Sequence, residues 1–276
     1  MNKRIMLPIL LHVILVLLAI ASVYPAIWIV LSSFKEGTSL YSETIIPRSL
    51  TLEHYKNLFS DQDFDFRLYY WNTLKIAVLS MLFGTAIQIM TAYSLSRFRF
   101  TGRKTLLSGM LIMGMFPGFM SIIAVFVILN ELKLLNTHFA MVLVYSSGAA
   151  LGSFIAKGFF DTIPRSIEES ARIDGASHFK VFTHIMLPLS RPIITFVALT
   201  SFAGAWVDFI FAKMVLRKNE VRTVAIALFE LINTQSSTKF TLFAAGCVLV
   251  ALPITLLFIY LQRFLVDGLT AGADKF

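Results

Sequence analysis

The sequence predicts an all-α polytopic membrane protein with six transmembrane helices. Three observations carry that prediction. First, 57% of the 276 residues are hydrophobic and only 14% are charged, whereas a soluble domain carries roughly a quarter charged residues and under about half apolar ones. Second, the mean hydropathy is +0.76. Third, six apolar stretches reach the ~20 residues that a helix needs to cross a bilayer. The net charge of +8 sits at the flanks of those stretches, where Lys and Arg orient the chain and meet anionic headgroups. No basic domain is long enough to read nucleic acid. The single cysteine, Cys247, excludes an intrachain disulfide and reads as a small packing residue.

The spans are expected at Leu7–Leu31, Trp71–Leu95, Thr105–Leu129, Phe139–Phe160, Pro192–Ala212 and Phe240–Leu265. The first is too long for a cleaved signal peptide and lacks a clean small-residue cleavage site, so it reads as an anchor. Pro25, Pro117 (beside Gly114 and Gly118) and Pro253 fall inside apolar runs and are expected to kink them. Kinked helices suit a wall around a cavity, although membrane helices also tolerate Pro. Lys3 and Arg4 precede the first span, and Arg97, Arg99, Arg103 and Lys104 fill the second connection without an acid. The positive-inside rule then puts both termini on the cytoplasmic side. The fourth connection agrees, with Lys157, Arg165, Arg172, Lys180 and Arg191. Lys213, Arg217, Lys218 and Arg222 after the fifth span pull the other way. Three segments result: residues 1–70 as the first span and an outer segment, 71–265 as the core, and 266–276 as a cytoplasmic tail.

The connection at 161–192 has a helical grammar of its own. Ser166 and Glu169 have the spacing of a capping box, which predicts a short helix from Ile167 to Asp174. Gly175 stands where a left-handed cap is expected. Phe179, Phe182, Ile185 and Met186 then recur at helical spacing until Pro188 ends the pattern. The product is a helix–Gly–helix unit whose apolar side chains need cover, either from the protein's own spans or from another protein.

The pattern Glu169-Ser170-Ala171, Gly175, Ile185-x-Leu187-Pro188 resembles the EAA signature of ABC importer permeases, E-A-A-x3-G-x9-I-x-L-P, with Ser170 in place of the middle Ala. Asp174-Gly175-Ala176 and Leu187-Pro188-Leu189 are similar to the carbohydrate-uptake branch. So are Leu216 to Ala225 and the ending Gln262-Arg263-Phe264 with Gly268-Leu269-Thr270-Ala271-Gly272, which looks like that of maltose-type permeases. The resemblance covers residues 70–276. Before that it is loose, through Ser33 to Gly37. It implies a type I importer permease fold in a bacterial inner membrane, a dimer of separate ATPase subunits, a second homologous permease, an extracytoplasmic binding protein and an oligosaccharide substrate, with malto-oligosaccharides first. Galacto-oligosaccharides or a glycerol phosphate ester are the alternatives. It also implies that the loop helix docks in an ATPase cleft. Glu169 would contact or orient against the ATPase, Ala171 would allow close approach, Gly175 would permit the turn, and Gly268 to Ala273 would reach towards the same interface. Small residues suit close approach, and Gly adopts backbone conformations others resist.

No G-x4-G-K-[ST] motif is present, so the energy must come from a partner. No zinc-spaced Cys/His set, no H-E-x-x-H and no G-x-S-x-G occurs, which disfavours a membrane enzyme and predicts no cofactor. An ion-coupled transporter would need charges near the bilayer centre and repeated halves, neither of which stands out. His12, His54, His138, His178 and His184 are scattered. His178 and His184 lie in the loop, within reach of an ATPase partner. Asp208 is the best intramembrane ionisable candidate. With Trp206 it could line a sugar pathway, or it could pair with Lys213. Lys75 can snorkel, and Gln88 and Asn72 can bond between helices. The outer segment with Tyr41, Tyr55, Asp61, Asp63 and Asp65 either faces a binding protein or is a plain connector.

Overall fold

A computed structural model describes residues 3–38, 47, 49–60, 64–148, 150–233 and 239–273. Fourteen α-helical segments are defined among them: α1 Lys3–Ser33, α2 Glu53–Ser60, α3 Phe66–Arg97, α4 Arg103–Met115, α5 Gly118–Glu131, α6 His138–Ser147, α7 Ala150–Thr162, α8 Arg165–Ile173, α9 His178–Val181, α10 Leu187–Leu189, α11 Arg191–Val207, α12 Ile210–Val215, α13 Val224–Ile232 and α14 Phe240–Ala273. A π-helical turn, Phe182–Met186, joins α9 to α10. The only extended pairing among these residues is one antiparallel bridge, Lys35 with Leu50. Tyr41, Asp61 and Asp63 lie outside the described residues.

Three helices are long and apolar enough to cross a membrane, and six spans result if each of three bent pairs counts as one. The first, second and sixth expected spans are the continuous helices α1, α3 and α14. α1 and α14 run through Pro25 and Pro253 without interruption. The third expected span is broken rather than kinked: α4 and α5 meet at 103°. Phe116 and Pro117 are both extended at the break, as steric conflict with the proline ring favours for the residue before it. The fourth is the pair α6 and α7, bent by 42°. The fifth ends five residues early. Asp208 is extended, and its carboxylate accepts the Ala212 N–H at 2.8 Å, so it starts α12 instead of prolonging α11.

The chain forms two compact units, Met1–Arg67 with Ile226–Pro253, and Leu68–Ala225 with Ile254–Phe276. In the first, α1 carries a nearly unbroken apolar surface that the unit leaves exposed, the pattern of a helix meant for an apolar surrounding. Below it, Thr51 donates to the Phe34 carbonyl at 2.9 Å, and Ser33 and Tyr55 hydroxyls meet at 2.7 Å. The buried His54 ring bonds the Lys35 carbonyl at 2.6 Å.

The second unit is built round α3. Ile76, Ala77, Ile89, Ala92 and Tyr93 are buried along it, together with Asn72, Thr73, Ser80 and Gln88. Asn72 and Gln88 bond beyond α3, as expected. Asn72 donates to the carbonyls of Glu220 and Arg222 at 2.9 and 3.1 Å, and Gln88 donates to Ser201 on α11 at 3.1 Å. Gly152 on α7 allows this packing, because a Cβ there would stand 1.9 Å from the Gln88 Oε1.

Candidate functional site

The helix–Gly–helix unit forms as expected, with one change of register. α8 starts at Arg165 behind Pro164, and no side chain caps it. The expected capping box is therefore absent: Ser166 falls inside the first turn and Glu169 one turn further on. The Arg165 guanidinium donates instead to the Ser96 carbonyl at 3.3 Å, which ties that first turn to α3. The helix end follows the prediction. Gly175 has φ +85. Its N–H reaches the Arg172 carbonyl at 3.1 Å, and the Ala176 N–H reaches the Ala171 carbonyl at 3.0 Å, the paired bonds of a Schellman motif. Ser177 then caps α9, accepting from the Lys180 N–H at 3.3 Å. Pro188 does not end the pattern, since the helical path continues to Leu189 and turns by 80° into α11. Pro188 has no N–H for the preceding turn, and the turn before it takes the wider π form.

The signature residues divide by face. Ala171, Ala176 and Leu187 pack on a core of Ile89, Tyr93, Phe160, Val181, Met186 and Val197, so the close approach that Ala171 permits in this chain is to its own core. Glu169, Ser170, Asp174, Gly175 and Pro188 are exposed, and Ile185 is half-buried. Two large apolar side chains beside the turn are also bare: Ile173 is 86% exposed and Phe179 75%.

The strongest electrostatic feature involves residues the sequence reading passed over. Arg97 Nε pairs with Glu168 Oε1, and their side chains are 6% and 13% exposed. The Tyr93 hydroxyl donates to Glu168 Oε2 at 3.2 Å, and Arg97 Nη2 donates to the Ile163 carbonyl at 2.9 Å. Ser96 donates to Asp161 at 2.6 Å, and Asp161 pairs with Lys157. Arg97 reads in the sequence only as an orienting charge, and Glu168 is hidden beside Glu169. The available signal is helical period: Glu168 precedes the inward Ala171 by three positions and shares its face. The same region holds a pocket of about 180 Å³ lined by Tyr93, Phe98, Arg99, Glu169, Arg172 and His178 among others. The His178 ring lies 5.6 Å from that of Phe98, and His184 bonds Thr183 at 2.8 Å.

The two intramembrane candidates lie at the end of α11. Trp206 is 1% exposed, stacked on Phe202 at 5.3 Å and edge-on to Tyr70 at 5.5 Å. Asp208 accepts from the Tyr145 hydroxyl at 2.8 Å besides starting α12. The Lys213 ammonium lies over the Phe209 ring at 5.3 Å. Gly268, Leu269, Thr270, Ala271 and Gly272 are in the last turns of α14, helical to Ala273. No group of three or more His, Cys, Asp or Glu among the described residues could hold a metal ion.

Comparison with known proteins gives this geometry a context. The pattern of the family described as "Binding-protein-dependent transport system inner membrane component" matches residues 84–270. The chain is 39% identical over 266 residues to the galactooligosaccharides transport system permease protein GanQ of Bacillus subtilis, covering 96% of this chain and 94% of that one. It is 37% identical to the maltodextrin permease protein MalD of Streptococcus pneumoniae, over 94% of this chain and 92% of the relative. Against the maltose/maltodextrin permease protein MalG of Escherichia coli K12 the identity is 36%, with coverage of 96% and 94%. The fold matches a chain of a bacterial ABC transporter that imports alginate, with TM-score 0.84, 22% identity and coverage of 95% and 98%. A family match over more than half of the sequence, with these identities along nearly all of it, makes the chain a member of the binding-protein-dependent transport system inner membrane components, a multi-pass permease that is not itself catalytic.

Proposed function

We propose that this chain is one permease subunit of an ATP-driven importer of oligosaccharides, with malto-oligosaccharides as substrate, and that the α8–Gly175–α9 turn docks in a cleft of a separate ATPase. The observation that carries the docking is the pair of bare apolar side chains, Ile173 and Phe179, on either side of a rigid left-handed turn. Fully burying side chains of this size contributes ~1.5–3 kcal/mol each, so a protein surface is a better home for them than water. Glu169, Ser170 and Asp174 are exposed on the same unit and would supply its polar contacts. Gly268 to Gly272 would reach the ATPase from the C-terminal end. The loop and both termini then lie in the cytoplasm, in line with the Arg and Lys of the second and fourth connections. A second homologous permease and an extracytoplasmic binding protein complete the assembly. ATPase closure would move the loop and rock the spans about a mid-membrane site.

Galacto-oligosaccharides are the second reading for the substrate, because a permease named for them is 39% identical to this chain. The test is uptake of labelled maltotriose and of labelled galactobiose into vesicles holding the complete importer, with ATP supplied or withheld. ATP-dependent, ionophore-insensitive uptake of maltotriose is expected. Uptake driven by an ion gradient without ATP would contradict the importer reading, and uptake of galactobiose alone would replace the sugar.

A further inference from the structure

We propose that Arg97 and Glu168 are a mechanical tether that passes displacement of the loop helix to α3, and that α3 is the rod carrying it across the membrane. This rests on the docking reading above and adds the route by which docking moves the spans.

The case begins with what holds α8. It buries no residue completely, so apolar packing alone does not fix its orientation. Polar bonds do, and they converge on the last turn of α3. Both Glu168 oxygens are engaged, one by Arg97 and the other by Tyr93, which fixes the rotation of α8 as well as its distance. Arg97 also holds the Ile163 carbonyl, just before α8 begins, and Arg165 in the first turn of α8 holds the Ser96 carbonyl. The carbonyls at a helix C-terminus lack intrahelical partners. At α3 these are taken by the loop's arginine at Ser96, by Arg103 Nε at Leu95 at 2.7 Å, and by the Phe98 N–H at Ser94 at 3.0 Å. Positive side chains also suit the negative end of a helix dipole.

A buried ion pair is poor evidence for stability, since an apolar replacement of equal volume is often as stable, but breaking one partner leaves a buried charge uncompensated. What this pair supplies is a fixed geometry between α8 and α3. Beyond it α3 is one uninterrupted helix of 32 residues, about 48 Å long at ~1.5 Å per residue. It is bonded to α11 through Gln88 and Ser201, and near its far end to the carbonyls of Glu220 and Arg222 through Asn72. A push on α8 therefore reaches one rigid element with fixed attachments along its length.

The test uses the complete importer in vesicles with three variants, Arg97→Gln, Glu168→Gln and the exchange Arg97→Glu with Glu168→Arg. Each single variant is expected to copurify with the ATPase, to cut ATP-dependent uptake at least ~10-fold, and to leave ATP hydrolysis running without solute. The exchange is expected to regain several-fold of the uptake that the singles lose. Normal uptake in both singles, or loss of uptake together with loss of assembly in the singles and no regain in the exchange, would overturn the tether. Hydrogen exchange of the permease gives an arm that does not depend on transport. In Arg97→Gln the amides of 165–173 are expected to exchange at least ~10-fold faster while those of 181–186 hold their wild-type rate. Unchanged rates in 165–173 would overturn the tether even if the wild-type importer transports. A wild-type complex without ATP-dependent uptake would sink the importer reading alone, and the exchange rates would still decide the tether.

Discussion

The two limbs of the loop are neighbours in sequence and opposites in construction. The second limb, α9 through the π turn, is anchored by burial: Val181 is 1% exposed and Met186 0%, inside a core shared with α3, α7 and α11. Tyr93 faces Phe182 across 4.7 Å between ring centroids. The first limb, α8, buries nothing completely and is held by charge-assisted bonds, while its outer face stays free. Apolar burial resists displacement in every direction without specifying a geometry, whereas a two-point carboxylate grip specifies one. A limb that must present a surface to a partner and report its motion is better served by the second kind of attachment.

Four changes separate these roles, from the largest effect to the smallest. Gly175→Pro removes the N–H bonded to Arg172 and demands φ near −65° where the chain has +85, a penalty of about 3 kcal/mol or more. It should abolish ATP-dependent uptake while the permease still inserts, read by uptake and membrane content. Met186→Ala deletes a fully buried side chain and should lower stability by roughly 2–5 kcal/mol, seen as a lower thermal midpoint in detergent. Gly175→Ala, at the same left-handed position, should cost about 1–2 kcal/mol and reduce uptake only in part. Ile173→Ser changes a side chain with no packing to lose, so the thermal midpoint should move by less than the equivalent of ~0.5 kcal/mol. Its copurification with the ATPase should nevertheless fall. A large stability loss in Ile173→Ser, or none in Met186→Ala, would erase the distinction between the limbs.

How much of this was legible in the sequence follows from which forces are local. Apolar length located six spans because lipid imposes it directly. The Gly175 cap was legible because a left-handed turn nearly requires that residue. The break at Pro117 was seen only as a kink, since the angle between α4 and α5 depends on packing that no local pattern encodes. The end of α11 was missed because Asp208 looked like an ionisable residue inside a span, and its capping bond to Ala212 becomes visible only in three dimensions. The capping box was misread because Arg165 finds α3, a partner 69 residues away in sequence. Arg97 and Glu168 were passed over for the same reason, being 71 residues apart with no motif to link them.

The most direct measurement of the central claim is the accessibility of position 173 in the assembled importer. With Cys247→Ser removing the native thiol, a cysteine introduced by Ile173→Cys is labelled by a water-soluble maleimide with and without the ATPase partner, beside Met186→Cys as the buried control. The account predicts rapid labelling of position 173 in the permease alone, protection of at least ~10-fold when the ATPase is present, and no labelling at 186 in either case. Equal labelling of position 173 with and without the ATPase would contradict it.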